Sequence, residues 1–154
     1  MLLVAALAGC GVRPTEVIDA GEPASGLSTG LRIYFASDKG LRAVPRHNKL
    51  KDLNSVIKLL TAGPNTAEQT SGLLSLVEPP GSYDAVGNGT KVMLAMPGAH
   101  LTPDNHLLSG QLVCSLAHAQ SMLNPKVHPD DVQVTLTSDG APLGPYRCSY
   151  FLDG

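Results

Sequence analysis

The sequence predicts an α/β (α+β) domain, a compact two-layer sandwich in which helices cover a small mixed or antiparallel sheet. Three observations carry that expectation. Several stretches alternate apolar and polar residues between Gly, Pro and Asn turn signals, the pattern of half-buried strands. Two others repeat their apolar residues at helical period, and each such stripe needs a second layer to bury it. At 154 residues and 43% hydrophobic content, the chain is long enough for one domain with a sizeable core plus flanks. Aromatics make up 4% and tryptophan is absent, so the core should be aliphatic.

The first segment, residues 1–9 (MLLVAALAG), is an apolar run ending in small residues before Cys10. It is too short to span a bilayer, which takes about 20 residues. A buried core segment is the alternative reading. The run Leu7-Ala8-Gly9-Cys10 resembles the lipobox of bacterial lipoprotein signal peptides. That resemblance implies cleavage before Cys10 and a diacylglyceryl group on its sulfur, with palmitate-type acylation. Neither Lys nor Arg precedes the apolar run, so the resemblance also implies a translation start further upstream. Two acyl chains, at about 0.8 kcal/mol per buried methylene, give stable anchoring. Residues 10–30 lack a hydrophobic period and are rich in Gly, Pro, Ser and Thr, the composition of a flexible tether with a reach of about 25 Å.

The folded domain is expected over 31–154. Leu31, Ile33 and Phe35 alternate with Arg32 and Tyr34, turn chemistry follows at Ser37 to Gly40, and Leu41 to Val44 return as a partner strand closed by Pro45. His47 to Lys51 reads as a solvated loop. Leu53, Val56, Ile57 and Leu60 then form one helical stripe, with Asp52 capping its first turn. Gly63 suits the left-handed position past its end, and Pro64 prevents continuation. Thr66 with Gln69 predicts a capping box for a second short helix, interrupted at Gly72. Tyr83 to Val86 and Thr90 to Met96 read as a hairpin around Gly87-Asn88-Gly89. The longest helix is expected over 103–123, with Thr102 as N-cap and Pro103 at the first position. Its stripe is Leu108, Leu112, Leu116, Ala119 and Leu123, with Val113 alongside. Gly110 weakens it by about 1 kcal/mol relative to Ala and permits close approach of another element. Val132, Val134 and Leu136 make a final strand before Asp139-Gly140 and a Pro-containing tail.

Two of these stretches carry a family likeness. The run Leu59-Leu60-Thr61-Ala62-Gly63-Pro64, then Glu68, then Gly72-Leu73, resembles the "LLxGP…E…GL" segment of the GerMN (sporulation/spore-germination) domain. Gln111-Leu112-Val113-Cys114-Ser115-Leu116 is similar to that domain's late "QLVxTL" helix. The matches span roughly Leu31 to Gly140. The resemblance implies a compact α/β module related to ring-building domains of sporulation complexes, with Leu59, Leu60, Gly63, Pro64, Glu68, Gly72, Leu73, Gln111, Leu112 and Val113 as structural residues.

With Cys10 set aside, Cys114 and Cys148 remain. In an exported chain an even remainder favours a disulfide, worth about 4 kcal/mol in the chain-entropy model; two free thiols are the alternative. Other motifs lack their context. Gly26-Leu27-Ser28-Thr29-Gly30 matches G-x-S-x-G but precedes a strand instead of following one. His47, His100, His106, His118 and His128 show no zinc-protease spacing. Asp130-Asp131 is a lone acidic pair, and Asn88-Gly89-Thr90 fits a glycosylation sequon already explained by a turn. No catalytic, cofactor-binding or metal-binding set is therefore expected. Net charge is −2 with Lys and Arg spread along the chain, which argues against nucleic acid.

The resulting expectation is a membrane-anchored extracytoplasmic lipoprotein, held through Cys10, that acts as a non-catalytic protein-interaction module. Its expected partner is another protein, and sporulation or cell-envelope assembly is implied by the resemblance alone. A cell-wall or small-ligand binding module is the alternative. Few aromatics disfavour a sugar-stacking platform, and the lack of a nucleophile–base–orienter set disfavours a hydrolase.

Overall fold

The computed structural model describes residues 30–78, 82–139 and 141–152. The signal segment, Cys10 and all of the tether before Gly30 lie outside the described residues. The domain is α+β. Strands β1 (Leu31–Ser37) and β2 (Gly40–Arg46) form an antiparallel ribbon, followed by helices α1 (Asn54–Ala62) and α2 (Thr66–Thr70). Strands β3 (Asp84–Asn88) and β4 (Lys91–Ala95) precede the long helix α3 (His106–Leu123), and β5 (Gln133–Thr137), β6 (Leu143–Tyr146) and α4 (Ser149–Leu152) complete the chain. The larger sheet has the order β3-β4-β5-β6. Only β4 and β5 within it are parallel, because α3 carries the chain back between them.

Helix α3 touches β1 on one side and β4 and β5 on another, with α1 also against it. It is buried on most of its circumference from Ser109 to Gln120. Around it lies an almost wholly aliphatic core, including Leu31, Ile33, Val56, Leu60, Leu94, Leu112, Leu116, Val134 and Leu136, with Phe35 and Phe151 as its aromatic members. At the two ends of the expected stripe, Leu108 is only half-buried and Leu123 is exposed.

Several boundaries differ from the sequence reading. Strand β2 runs through Pro45 instead of stopping there. Pro45 lies opposite Arg32, whose own N–H points away from β2, so the ladder needs no donor at that position. The second hairpin turns at Gly89-Thr90, since Asn88 already pairs with Lys91; Gly89 supplies the positive φ of 56°. The capping box of α2 is Asn65 with Glu68, not Thr66 with Gln69. Asn65 Oδ1 accepts from the Glu68 N–H and Glu68 Oε2 accepts from the Asn65 N–H. Gln69 instead donates its side chain to the Pro64 carbonyl.

Helix α3 starts at His106, not Pro103. The Asn105 carboxamide oxygen accepts from both the backbone N–H and hydroxyl of Thr102, closing a separate turn over those residues. Strand β6 has no counterpart in the sequence reading. Gly144 and Pro145 interrupt its alternation, and it meets β5 only at Val134–Tyr146 and Leu136–Leu143 across an irregular register. By contrast, Asp52 Oδ1 accepts from Ser55 as expected, and Gly63, at φ 78°, ends α1 by donating to Leu59 and Leu60.

Candidate functional site

Several polar groups of α3 tie strands and a loop to the helix. Gln111 has no exposed surface; its Oε1 accepts from the Leu76 N–H at 3.0 Å and its Nε2 donates to Ser75 Oγ at 3.1 Å. One turn along, Ser115 Oγ accepts from the Tyr34 N–H at 2.9 Å, and His118 Nδ1 accepts from the Arg32 N–H at 3.4 Å. The next outward-facing groups of β1, at Ala36, bond reciprocally to Leu74. The free edge of β1 is thereby sealed by one helix and one loop residue. At the edge of β3, Asn54 Oδ1 takes the Ala85 N–H at 2.8 Å, while Gln120 Nε2 donates to the Gly89 carbonyl at 2.8 Å. Leu112 and Val113 lie in the apolar core.

The Leu59–Leu73 segment is likewise built into the frame. Leu60, Pro64 and Leu73 are buried, Leu59 is half-buried, and Gly63 and Gly72 take positive φ at the two helix ends. Glu68 makes a bidentate pair with Arg46, both contacts at 2.7 Å, with both side chains mostly buried. The Arg46 guanidinium lies 5.4 Å from the Phe35 ring centroid, completing a stack from α2 to β1. Hydrogen bonding from Arg46, above all, holds the Glu68 carboxyl below its usual range.

Cys114 and Cys148 form a disulfide, joining α3 to the C-terminal tail with Cα atoms 4.5 Å apart. Beyond it, Tyr146, Tyr150 and Phe151 pack ring against ring, with His106 at 4.8 Å from Phe151. A hollow of about 240 Å³ beside the disulfide is lined by Arg32, Tyr34, His118 and Asp130. Burial there lowers the His118 pKa, assisted by Arg32, and burial raises that of Tyr34. A neutral imidazole whose Nδ1 is already an acceptor and a protonated phenol provide hydrogen bonding. Both nearby thiols are tied up in the disulfide, so the hollow lacks a thiolate nucleophile.

His106, at the start of α3, and His118, further along it, serve different neighbours. His128 caps the turn at Pro129–Asp131 by accepting from the Asp130 N–H, which accounts for the Asp130-Asp131 pair as local turn structure. Among the described residues, no group of three or more His, Cys, Asp or Glu is placed to hold a metal ion. Among the same residues, no helix is long and apolar enough to cross a membrane. The G-x-S-x-G run and Gly140 fall on residues that are mostly or wholly outside those described.

A hollow of about 640 Å³ runs along the β3 edge beside Asn54 and Leu123, and two further surfaces among the described residues are open to binding. A cleft of about 530 Å³ opens between the loop around Val77, the loop at Met96–Leu101, and Leu108 and Leu112 of α3. The other is the outer face of the larger sheet. Val86 and Met93 are direct register partners there and are 59% and 57% exposed. With Pro145, Lys91 and Thr135 they border a shallow groove of about 560 Å³. Local pattern does not mark Val86 and Met93 as outward-facing, because each stands among apolar or small neighbours. Nothing in it shows that β4 pairs with β5, which is what widens this face into a four-stranded surface.

No protein-family model, curated protein or solved structure matches this chain.

Proposed function

We propose that this chain is a bacterial lipoprotein, anchored through lipidated Cys10 on the extracytoplasmic face of the membrane, whose GerMN-like domain works in protein–protein assembly and not in catalysis. The observation that carries the reading is the outer sheet face, where Val86 and Met93 form a contiguous apolar patch. Parallel strand pairs are ordinarily covered on both faces, and here the described residues cover β4 and β5 on one. Two further features support it. Ser115 and His118 of α3 are engaged in closing the β1 edge, and Gln111 in holding the loop at Ser75–Leu76. The Cys114–Cys148 disulfide fits an oxidising compartment outside the cytoplasm. Sporulation or envelope assembly enters through the GerMN resemblance.

The test is crosslinking in intact membranes followed by recovery of the tagged full chain. A bound protein should be recovered with the wild type and lost with Met93→Asp. Recovery of no protein, or recovery unchanged by that substitution, would refute the reading. A second reading, a binding module for a cell-wall fragment or small ligand, is favoured by the 530 Å³ cleft, whose volume is in the range of ligand pockets. Calorimetric titration of wall fragments, with Leu108→Asp as control, distinguishes it.

A further inference from the structure

We infer that the partner on the outer sheet face is a second copy of this chain, packed face to face about a two-fold axis that lies in the interface and crosses the strands. The inference rests on the assembly reading above and names its partner. Three observations select this occupant. The face is apolar at its centre, where Val86 and Met93 sit side by side, and small or uncharged at Ala95, Thr135 and Thr137. Its two charges have opposite sign and lie at opposite ends of the β3–β4 hairpin. Asp84 pairs with Ala95 at the open end, and Lys91 pairs with Asn88 at the turn. Neither makes an ion pair with a described residue of its own chain, although Asp84 Oδ1 accepts a long, exposed hydrogen bond from Asn54 Nδ2 at 3.4 Å.

Those placements are self-complementary under one operation. Rotation about an axis along the Val86–Met93–Thr135 row reverses the strands, so each Met93 meets its counterpart at the centre. The same rotation sets Asp84 of one copy over Asn88 of the other, one strand from Lys91. Lys91 in turn lies over Ala95, the neighbour of Asp84. Two equivalent Asp84–Lys91 contacts result, one at each end. The ribbon offers no such match. Over residues 31–46 the ribbon itself carries Arg32, Lys39, Arg42 and Arg46 against one acid, Asp38, so a second copy packed on it would meet like charge.

The size of the face sets the strength. Four strands about 4.8 Å apart, each about 17 Å long, give a footprint of roughly 300 Å² per copy. The total is well below the roughly 1,200 Å² of stable complexes, so the pair is transient in solution. Tethering at a membrane raises its effective concentration.

The test uses the full chain with Cys10→Ser, so that an introduced thiol is the only free one. Under mild oxidation, Met93→Cys should give a covalent dimer, whereas Tyr150→Cys, equally exposed but off the face, should not. Sedimentation at about 0.5 mM should show dimer for the parent chain. Asp84→Lys and Lys91→Asp should each lower the dimer fraction at least threefold, and the two together should restore it. Equal crosslinking at both thiols, absence of dimer, or failure of the double exchange to restore it would overturn the inference. If no dimer forms while Met93→Asp still abolishes recovery of a different protein from membranes, self-association falls and the assembly reading stands.

Discussion

Gly110 of α3 sets two opposed effects against each other at one atom. Replacing it with alanine removes the conformational cost of a mid-helix glycine, a gain of about 1 kcal/mol. A Cβ there would lie 2.7 Å from Leu41 Cδ1, 2.8 Å from Phe151 Cβ and 2.9 Å from Phe151 Cγ. Leu41 can swing aside, since Cδ1 is the end of a flexible chain. Phe151 cannot, because its Cβ is fixed to α4, and α4 follows directly on Cys148, which is bonded to Cys114 one turn along the same helix. Overpacking of this kind costs about 1–3 kcal/mol, and the fixed neighbour places it toward the upper end. Gly110→Ala should therefore destabilise the chain by about 1–2 kcal/mol, lowering Tm by roughly 3–8 °C. Equilibrium urea unfolding of the full chain reads this directly, with an unchanged slope. In a Leu41→Ala background the cost should shrink, because one of the contacts is gone. A variant as stable as the parent, or more so, would refute the packing of α3 against β2 and α4.

Gln111→Leu should cost about 1–3 kcal/mol in the same assay, because the Leu76 N–H loses its acceptor in a buried site. A neutral result would show that the 75–77 loop is not pinned by α3. Replacing both Cys114 and Cys148 with serine should cost about 4 kcal/mol for a bridge spanning a sequence separation of 34, and reduction of the parent should reproduce most of that loss. Stability should also fall as pH drops below about 6.5. The folded pKa of His118 lies below its ordinary value, mainly through burial, so the unfolded chain binds the proton first and is favoured. His118→Asn should flatten the pH dependence in that window. The depressed Glu68 carboxyl acts separately, its contribution being lost only as pH falls below about 4.5.

Much of the local structure is written in short-range chemistry. Asp52, Gly63 and Pro64 bound α1 as their cap and stop preferences require, and the alternation in 31–35 and 132–136 places strands where they form. The errors arise where two local signals compete. Both Asn65 and Thr66 can cap a helix, and Asn65 takes the position because Glu68 bonds Arg46 and the Asn65 N–H together. Thr102-Pro103 looks like a helix start, but Asn105 draws Thr102 into its own turn.

What lies beyond the sequence is tertiary. Ser115, His118 and Gln120 gain their roles only because β1 and the β3–β4 turn come alongside α3. Strand β6 exists because β5 offers it an edge, despite Gly144-Pro145 in its middle. The extension of the Val86–Met93 face by β5 and β6 depends on strand order, which no local pattern encodes. The disulfide is the exception, since cysteine arithmetic pairs Cys114 with Cys148 once export is supposed.

Export is also the premise that the functional account depends on most. Intact-mass and peptide mass spectrometry of the native protein from fractionated cells tests it in one experiment. The account predicts a membrane-fraction product that begins at Cys10, carries acyl chains on that residue, and has Cys114 bonded to Cys148. A product found in the cytosol, with an unacylated Cys10 and both other cysteines reduced, would contradict it.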